Sequence, residues 1–437
     1  MSVQPARNYD LSAAIAEVEQ RFTASNPKSK SNYDTVCGFL PGGNSRTVLF
    51  YSPFPLTLSK GEGCHVFDLD GHKYTDFVGE YTAGLYGHSN PTIVAAIKDA
   101  LDKGIVLGGH NEYEGKLAAA MCARWPSVQR VRFTNSGTEA NLMAVSTARA
   151  VTKRSKILVF EGGYHGAVFY YSAGSQVMNA PFPTVIAPFN DTDATVALIR
   201  KHADDLACVV VEPMQAGGGS IPGKPEFLKA LREETQKCGA LLIFDEVVTS
   251  RLSPGGAQAI YKIMPDLTSF GKYIGGGLTF GAFGGRADIM DRFDPRRPDA
   301  LPHAGTFNQN VLTMAAGVTG LTKIYTPEVA VQFNARGDKL RERLNAVCKK
   351  RGLPVQWVGM GSTMTVHFTD RKIESVADSQ KGNQLARALL HHDMLTRAHY
   401  PTRRGMYNLS LPMGEKEFDG LVSAFDEFLA ERGALLA

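Results

Sequence analysis

Four short apolar runs, each followed by a polar or glycine-rich loop and then a helical stretch, constrain this chain most. They are Val131-Arg132-Phe133, Ile157–Phe160, Cys208–Val211 and Leu241–Phe244. Runs this short, separated by helices, read as parallel strands covered on both faces. The expectation is an α/β protein with a mainly parallel central sheet in a large domain over residues 81–320. A smaller α+β domain is expected from both termini, residues 1–80 and 321–437. Within it, Leu11–Phe22 reads as a helix and Met364–Phe368 as a strand. Cys64–Phe77 reads as a hairpin about Asp70-Gly71.

Composition narrows the function classes. The 437 residues carry 47 Lys+Arg against 43 Asp+Glu, a net +4, and the basic residues are scattered. The pairs Arg296-Arg297 and Arg403-Arg404 are too short to be a nucleic-acid tail, so no nucleic-acid partner is expected. No stretch of about 18 apolar residues suggests a membrane span, and Met1–Asp10 lacks the apolar core of a signal peptide. Six cysteines stand far apart without a CxxC pair. They read as reduced residues of a cytoplasmic protein, and no His/Cys cluster has zinc spacing, so no metal is expected. The 44 glycines gather at the ends of apolar runs, where backbone can approach a ligand.

Asn135-Ser136-Gly137-Thr138-Glu139 follows one strand and opens a helix. Ser136 and Glu139 fit a capping box, while Ser136, Gly137 and Thr138 also supply the hydroxyls, free amides and dipole end of a phosphate site. Residue types alone leave the two open. Glu212 and Asp245 sit at the carboxyl ends of neighbouring strands, where ligands of open α/β sheets bind; a lone acid there is more often a cap. Gly218–Lys224 imitates a P-loop of a nucleotide hydrolase, but Pro225 stands where Ser or Thr must hold Mg²⁺. Lys272 lies in Ser269-Phe270-Gly271-Lys272-Tyr273-Ile274-Gly275-Gly276-Gly277. A snorkelling ammonium is the ordinary explanation; an imine to a carbonyl cofactor removes the need to desolvate a charge, with glycines on both sides admitting a planar ligand. Tyr164-His165, in Glu161-Gly162-Gly163-Tyr164-His165-Gly166, could stack on such a ring. A phosphate nest, a ring-stacking aromatic, a strand-end Asp and a buried Lys are together what pyridoxal phosphate requires.

On these motifs the chain, from Arg46 to its C-terminus, resembles the class III (fold type I) pyridoxal-phosphate aminotransferases. Within them it is most similar to the glutamate-1-semialdehyde aminomutase-like branch and its β-phenylalanine (β-amino acid) aminotransferases. The resemblance implies that Lys272 carries pyridoxal 5'-phosphate as an imine. It implies that Ser136, Gly137 and Thr138 hold the phosphate, that Tyr164 and Val247 face the ring from opposite sides, and that Asp245 binds the pyridine nitrogen. His165, Glu212 and Gln215 are implied to line the cofactor. Thr306 is implied to reach the phosphate from the partner subunit of a homodimer with shared active sites.

Amino-acid and keto-acid substrates both carry carboxylates, which arginine recognises bidentately. Arg46, Arg403 and Arg404 are the candidates; for any one alone, a solvated surface residue is the ordinary reading. The resemblance favours Arg46 and Arg403, with Tyr81 lining the pocket. It also implies a departure from the aminomutases, which carry an acid in this C-terminal stretch where this chain has two arginines. The expected reaction is transamination of a β-amino acid, aromatic as in β-phenylalanine, with 2-oxoglutarate or pyruvate. The alternatives are a 2,1-aminomutase, an amino-acid racemase and, remotely, a P-loop hydrolase. Release of Lys272 beside the cationic cofactor is expected to lower its pKa enough for a general base.

Overall fold

The computed structural model describes residues 10–172 and 174–436; the stretch 1–9 read for a signal peptide lies outside them. Its centre is a seven-stranded sheet in the order Arg130–Thr134, Gly281–Gly285, Leu267–Gly271, Leu241–Asp245, Leu206–Val211, Lys156–Phe160, Thr184–Ala187. Only Gly281–Gly285 runs against the others. All four apolar runs are strands of this sheet. Alternate residues face opposite sides: Leu158, Val209, Leu242 and Phe244 pack with the helices Thr192–Lys201 and Pro225–Cys238, while Val159, Val210 and Ile243 pack with Gly137–Thr152. Both faces are therefore dry, which is why the runs show no polar alternation.

Gly281–Gly285 (Gly-Ala-Phe-Gly-Gly) was not legible as a strand, because glycines carry no apolar pattern. Its register explains them. A Cβ on Gly281 would stand 2.1 Å from the carbonyl oxygen of Ser136, so only glycine lets this strand pass under the start of the following helix.

The hairpin His65–Asp68/Lys73–Asp76 forms as expected, joined on one side by Leu58–Glu62 and on the other by His399–Tyr400. A further sheet is built from Gln356–Met360, Thr363–His367 and Met406–Asn408. The segment between Tyr400 and Met406, which holds Arg403 and Arg404, thus links a sheet of N-terminal residues to one of C-terminal residues. Asn408 ties that link to the chain before Tyr81: its N–H donates to Phe77 O at 2.8 Å and its Nδ2 to Val78 O at 2.9 Å.

The P-loop reading is overturned here. Met214–Gln215 and Ile221–Pro222 fold the glycine run into a small hairpin, and Pro225 opens the next helix. Lys224 Nζ meets Glu374 Oε2 at 2.8 Å instead of waiting for a phosphate. All six cysteines are free thiols, and no helix among the described residues is long and apolar enough to cross a membrane.

Candidate active site

The carboxyl ends of the central strands converge on one cleft. Asp245 closes its strand at 4% exposure. Its Oδ2 accepts from His165 Nδ1 at 2.8 Å and from Asn141 Nδ2 at 2.9 Å, and its Oδ1 from the Val247 amide at 3.0 Å. Burial pushes His165 down, but the hydrogen bond and charge of Asp245 outweigh it, and the imidazole pKa is raised. A carboxylate has about four lone-pair sites, so Asp245 keeps one free for a cationic donor. Glu212, at the end of the adjacent strand, accepts from the Tyr164 amide at 3.1 Å. Burial drives its pKa up to about 7, against the opposing charge of His165.

The helix Gly137–Thr152 starts beside Asp245. Ser136 Oγ caps it, accepting from Glu139 N at 3.2 Å. The reciprocal half of the capping box is absent: the Glu139 carboxylate takes Asn135 N at 2.8 Å, one residue beyond Ser136. The amides of Gly137 and Thr138 precede the first intrahelical acceptor and are free for an anion. Val247 wedges against this turn, its Cγ atoms 2.9 and 3.0 Å from where a Cβ of Gly137 would lie and 3.2 Å from that of Gly271. Thr138 Oγ1 accepts from the Ala167 amide at 3.2 Å.

Lys272 follows Gly271 with φ +57, a conformation that costs a lysine on the order of 1 kcal/mol. Its Nζ donates to Tyr81 O at 2.6 Å. Burial, with Glu80 opposing and Arg46 assisting, lowers the ammonium to about 8. The lowering was expected from a cationic cofactor; desolvation by the protein already produces it. Of the three glycines after Lys272, Gly275 and Gly276 face protein, while Gly277 faces open space. Cβ atoms on Gly275 and Gly276 would strike Phe280 and Ala316, at 2.4 and 2.6 Å; they serve packing and the turn.

Tyr81 lies in a run of positive φ, with Gly79 +50, Glu80 +46, Tyr81 +51 and Thr82 +81. The guanidiniums of Arg46 and Arg404 both stand 5.5 Å from the centroid of its ring, and Arg46 pairs with Glu80. Arg403 is the outlier of the three: exposed, at the second position of the turn Thr402–Gly405, its charge acts on His391 and His392. The expected preference for Arg403 over Arg404 is not what the geometry shows, because consecutive turn residues point apart. Tyr164 is 47% exposed and meets Tyr170 in a T-shaped contact, centroids 5.2 Å apart, so much of its side chain stays accessible. Thr306 lies in an exposed loop, outside this cluster; its neighbour Asn308 accepts from Asn135 Nδ2 at 3.1 Å.

His165 Nε2 and Gln215 Oε1 are buried here without a partner among the described residues, although Gln215 Nε2 is fixed by Glu161 O at 2.9 Å. Orphaned polar atoms, free helix-start amides, an unfilled carboxylate lone pair and a desolvated amine fit an aromatic, phosphorylated aldehyde. Several supporting residues escaped sequence reasoning. Asn141 and Ser269, which hydrogen-bond to each other beneath Asp245, carried one signal: an Asn on the buried face of a helix. Arg251 is fully buried without a carboxylate, donating to Thr82 O at 3.2 Å, Leu409 O at 2.6 Å and Ser362 Oγ at 3.1 Å; it clamps the strained run that carries Tyr81. Away from the cleft, Cys64, His65 and Glu417 bring donor atoms within 4.8 Å of one another, a grouping that no sequence spacing revealed.

A doubly covered, mostly parallel sheet with a buried lysine, a strand-end aspartate and a helix-start anion site defines a fold type I pyridoxal-phosphate transferase. The chain belongs to the class-III aminotransferases: the model of that family matches residues 50–398. It is a pyridoxal-phosphate-dependent transaminase. It is 49% identical over 426 residues, 98% of each chain, to the β-phenylalanine transaminase of Variovorax paradoxus. The crystal structure of a β-phenylalanine aminotransferase from that organism superposes with a TM-score of 0.96 over 97% of this chain and 99% of the other, at 49% identity. Glutamate-1-semialdehyde 2,1-aminomutase of Sulfurihydrogenibium sp. is 37% identical, over 86% of this chain and 91% of the relative.

Proposed function

We propose that this transaminase takes the amino group from a β-amino acid, aromatic as in β-phenylalanine, and passes it to 2-oxoglutarate or pyruvate. The observation that carries this reading is the placement of Arg46 and Arg404 about the Tyr81 ring, each 5.5 Å from its centroid, while Tyr81 O holds Lys272 Nζ. A β-amino acid bears its carboxylate one carbon farther from the reacting carbon than an α-amino acid, and the arginines stand back from the amine across a ring. The full-length identity of 49% to a β-phenylalanine transaminase supports the same substrate class. A second carboxylate site suits a keto-acid partner better than the single substrate of an aminomutase or racemase.

In this reading Lys272 is the attachment point, Ser136, Gly137 and Thr138 hold the phosphate, and Tyr164 and Val247 enclose the ring. Asp245 holds a proton at the pyridine nitrogen, and Gln215 and His165 offer their unpaired atoms at the ring's edge. When bound, pyridoxal phosphate supplies an aldehyde for amines and a ring that takes up the electron pair of the broken C–H bond. Lys272 Nζ would remove the proton at the substrate's amine-bearing carbon and return it across the nitrogen, at the carbon that was the cofactor's aldehyde; with a pKa of about 8 it suits the roles of base and acid. Arg46 and Arg404 fix the carboxylate, so the C–H bond is presented to Nζ.

We also propose a homodimer, supported by exposed Ile105, Val106 and Leu107 at 49%, 86% and 52%, and by Val177 and Phe307 at 87% and 67%; apolar clusters of this kind mark interfaces. Thr306 would then serve the partner's phosphate site. The chain divides at residues 80 and 320, and free thiols throughout support a cytoplasmic enzyme. The test is a half-reaction of the cofactor-loaded enzyme with (S)-β-phenylalanine. Conversion to the pyridoxamine form with release of a keto acid is expected, and an unchanged spectrum would remove the β-amino acid.

A further inference from the structure

Beside Arg404 the cleft continues into a pocket of about 200 Å³ whose lining includes Tyr170, Gly217, Thr365, Arg387 and Arg404. Arg387 projects from the helix Gln384–Thr396 and is largely withdrawn from water. Its contacts are poor for a cation: Nη1 donates to Gln384 Oε1 at 3.2 Å, Nη2 to His367 Nδ1 at 3.5 Å, and Nε has no acceptor. The acceptor on His367 is neutral. Its Nε2 lies 2.9 Å from Gly219 O, so Nε2 carries the hydrogen and Nδ1 the lone pair; burial and Arg387 hold the ring down to about 4. Arg404 is less satisfied still, its Nε buried without a partner.

Several other arginines shielded from water meet an acid: Arg232 with Asp266 at 2.9 Å, Arg397 with Glu427 at 2.9 Å, Arg432 with Asp393 at 3.1 Å. Arg251 lacks one, but hydrogen bonds to two carbonyls and a hydroxyl occupy its guanidinium. Arg387 and Arg404 line one pocket, and among the described residues neither has a carboxylate in ion-pairing distance. Burial and the charge of Arg404 press Arg387 down to about 10, which is the penalty of two neighbouring cations awaiting an anion. The pocket opens toward the reacting end. A Cβ on Gly217 would lie 3.7 Å from Tyr164 Cβ and 3.9 Å from Arg404 Nη1, so a ligand passing Gly217 runs from the stacking tyrosine to the arginine pair.

We propose that Arg387 and Arg404 form a subsite for the distal carboxylate of a dicarboxylic keto-acid acceptor, making Arg387 a determinant of acceptor choice. The inference rests on the keto-acid half of the proposed reaction. A guanidinium fork with unfilled donors binds a carboxylate bidentately, and a monocarboxylic acceptor such as pyruvate is too short to reach it.

The test has one arm that needs no variant. Calorimetric titration of the cofactor-loaded enzyme should give glutarate at least tenfold tighter binding than butyrate, and equal affinities would overturn the subsite. Inorganic phosphate binding as tightly as glutarate would overturn it too, since a general anion site would explain the arginines. In Arg387→Gln the ratio of kcat/KM for 2-oxoglutarate to that for pyruvate should fall tenfold or more, through KM for 2-oxoglutarate. Arg387→Lys should recover part of it. An unchanged ratio in a folded Arg387→Gln enzyme would refute the assignment. The half-reaction with (S)-β-phenylalanine, run without acceptor, reports on the donor separately; its failure leaves the glutarate comparison decisive for the subsite.

Discussion

Lys272 Nζ donates to the carbonyl oxygen of Tyr81 at 2.6 Å, and both residues hold left-handed backbone, φ +57 and +51. Two strained positions so joined imply a geometry maintained for use. Lys272→Ala should lower turnover by about 10³-fold or more, as loss of a general base does. The variant should release pyridoxal phosphate on dialysis, and borohydride should fix none. Turnover near the unaltered rate would sink the assignment of Lys272.

The lysine's pKa of about 8 has a kinetic consequence. Only the free amine attacks an aldehyde, so cofactor uptake by the apoenzyme should slow about tenfold per pH unit below 8. Above pH 8 it should level off. Stopped-flow absorbance at several pH values measures this; a rate still rising tenfold per unit to pH 10 would show that burial does not depress the lysine.

The strained run depends on Arg251. Arg251→Ala leaves the carbonyls of Thr82 and Leu409 without their donors, at roughly 1–3 kcal/mol each. A loss of about 3 kcal/mol in denaturant unfolding is expected. Arg251→Lys cannot reach three diverging acceptors with one ammonium and should recover little of it.

How much of this was legible follows from where each signal lived. Leu206–Val211 and Leu241–Asp245 announced themselves because burial on both faces leaves a continuous apolar run. Gly281–Gly285 did not, since its glycines answer to backbone pressed against them, Ser136 O at Gly281, Arg130 O at Gly284 and Asp266 O at Gly285. Asp245 and Lys272 were readable because an acid after a strand and a lysine among glycines are locally odd. Their pairings were not: Asn141 was missed, and His165 and Tyr81, though named as lining residues, were not tied to Asp245 and Lys272; the three come from 104, 80 and 191 residues away along the chain, and no local pattern encodes such meetings. The arginines show the limit most sharply. Arg403 and Arg404 are adjacent in sequence, and only the turn decides which of them faces Tyr81.

Arg46 offers a separable test of binding and stability. Its ion pair with Glu80 is solvent-exposed, at 42% and 60% of the side chains, so Arg46→Ala should change stability by no more than about 0.5–1 kcal/mol. If Arg46 binds the donor carboxylate, KM for the β-amino acid should rise about tenfold to a hundredfold. The half-reaction measures it directly. An unaltered KM would return Arg46 to the role of a surface residue.

Glu212 carries the last prediction. Burial raises its pKa from 4.5 to about 7, so between those values the folded apoenzyme keeps a proton that the unfolded chain has lost. Stability contributed by this group therefore falls as pH rises from about 4.5 to 7 and stays low above it. Glu212→Gln removes the titration while its amide oxygen can still accept from the Tyr164 amide. Relative to the unaltered apoenzyme, the variant should gain on the order of 2 kcal/mol at pH 7.5, with the difference shrinking toward pH 5. Denaturant unfolding at both pH values measures it. A constant difference would mean that Glu212 does not titrate in this window, and that the charge of His165 beside it keeps the carboxylate ionised throughout.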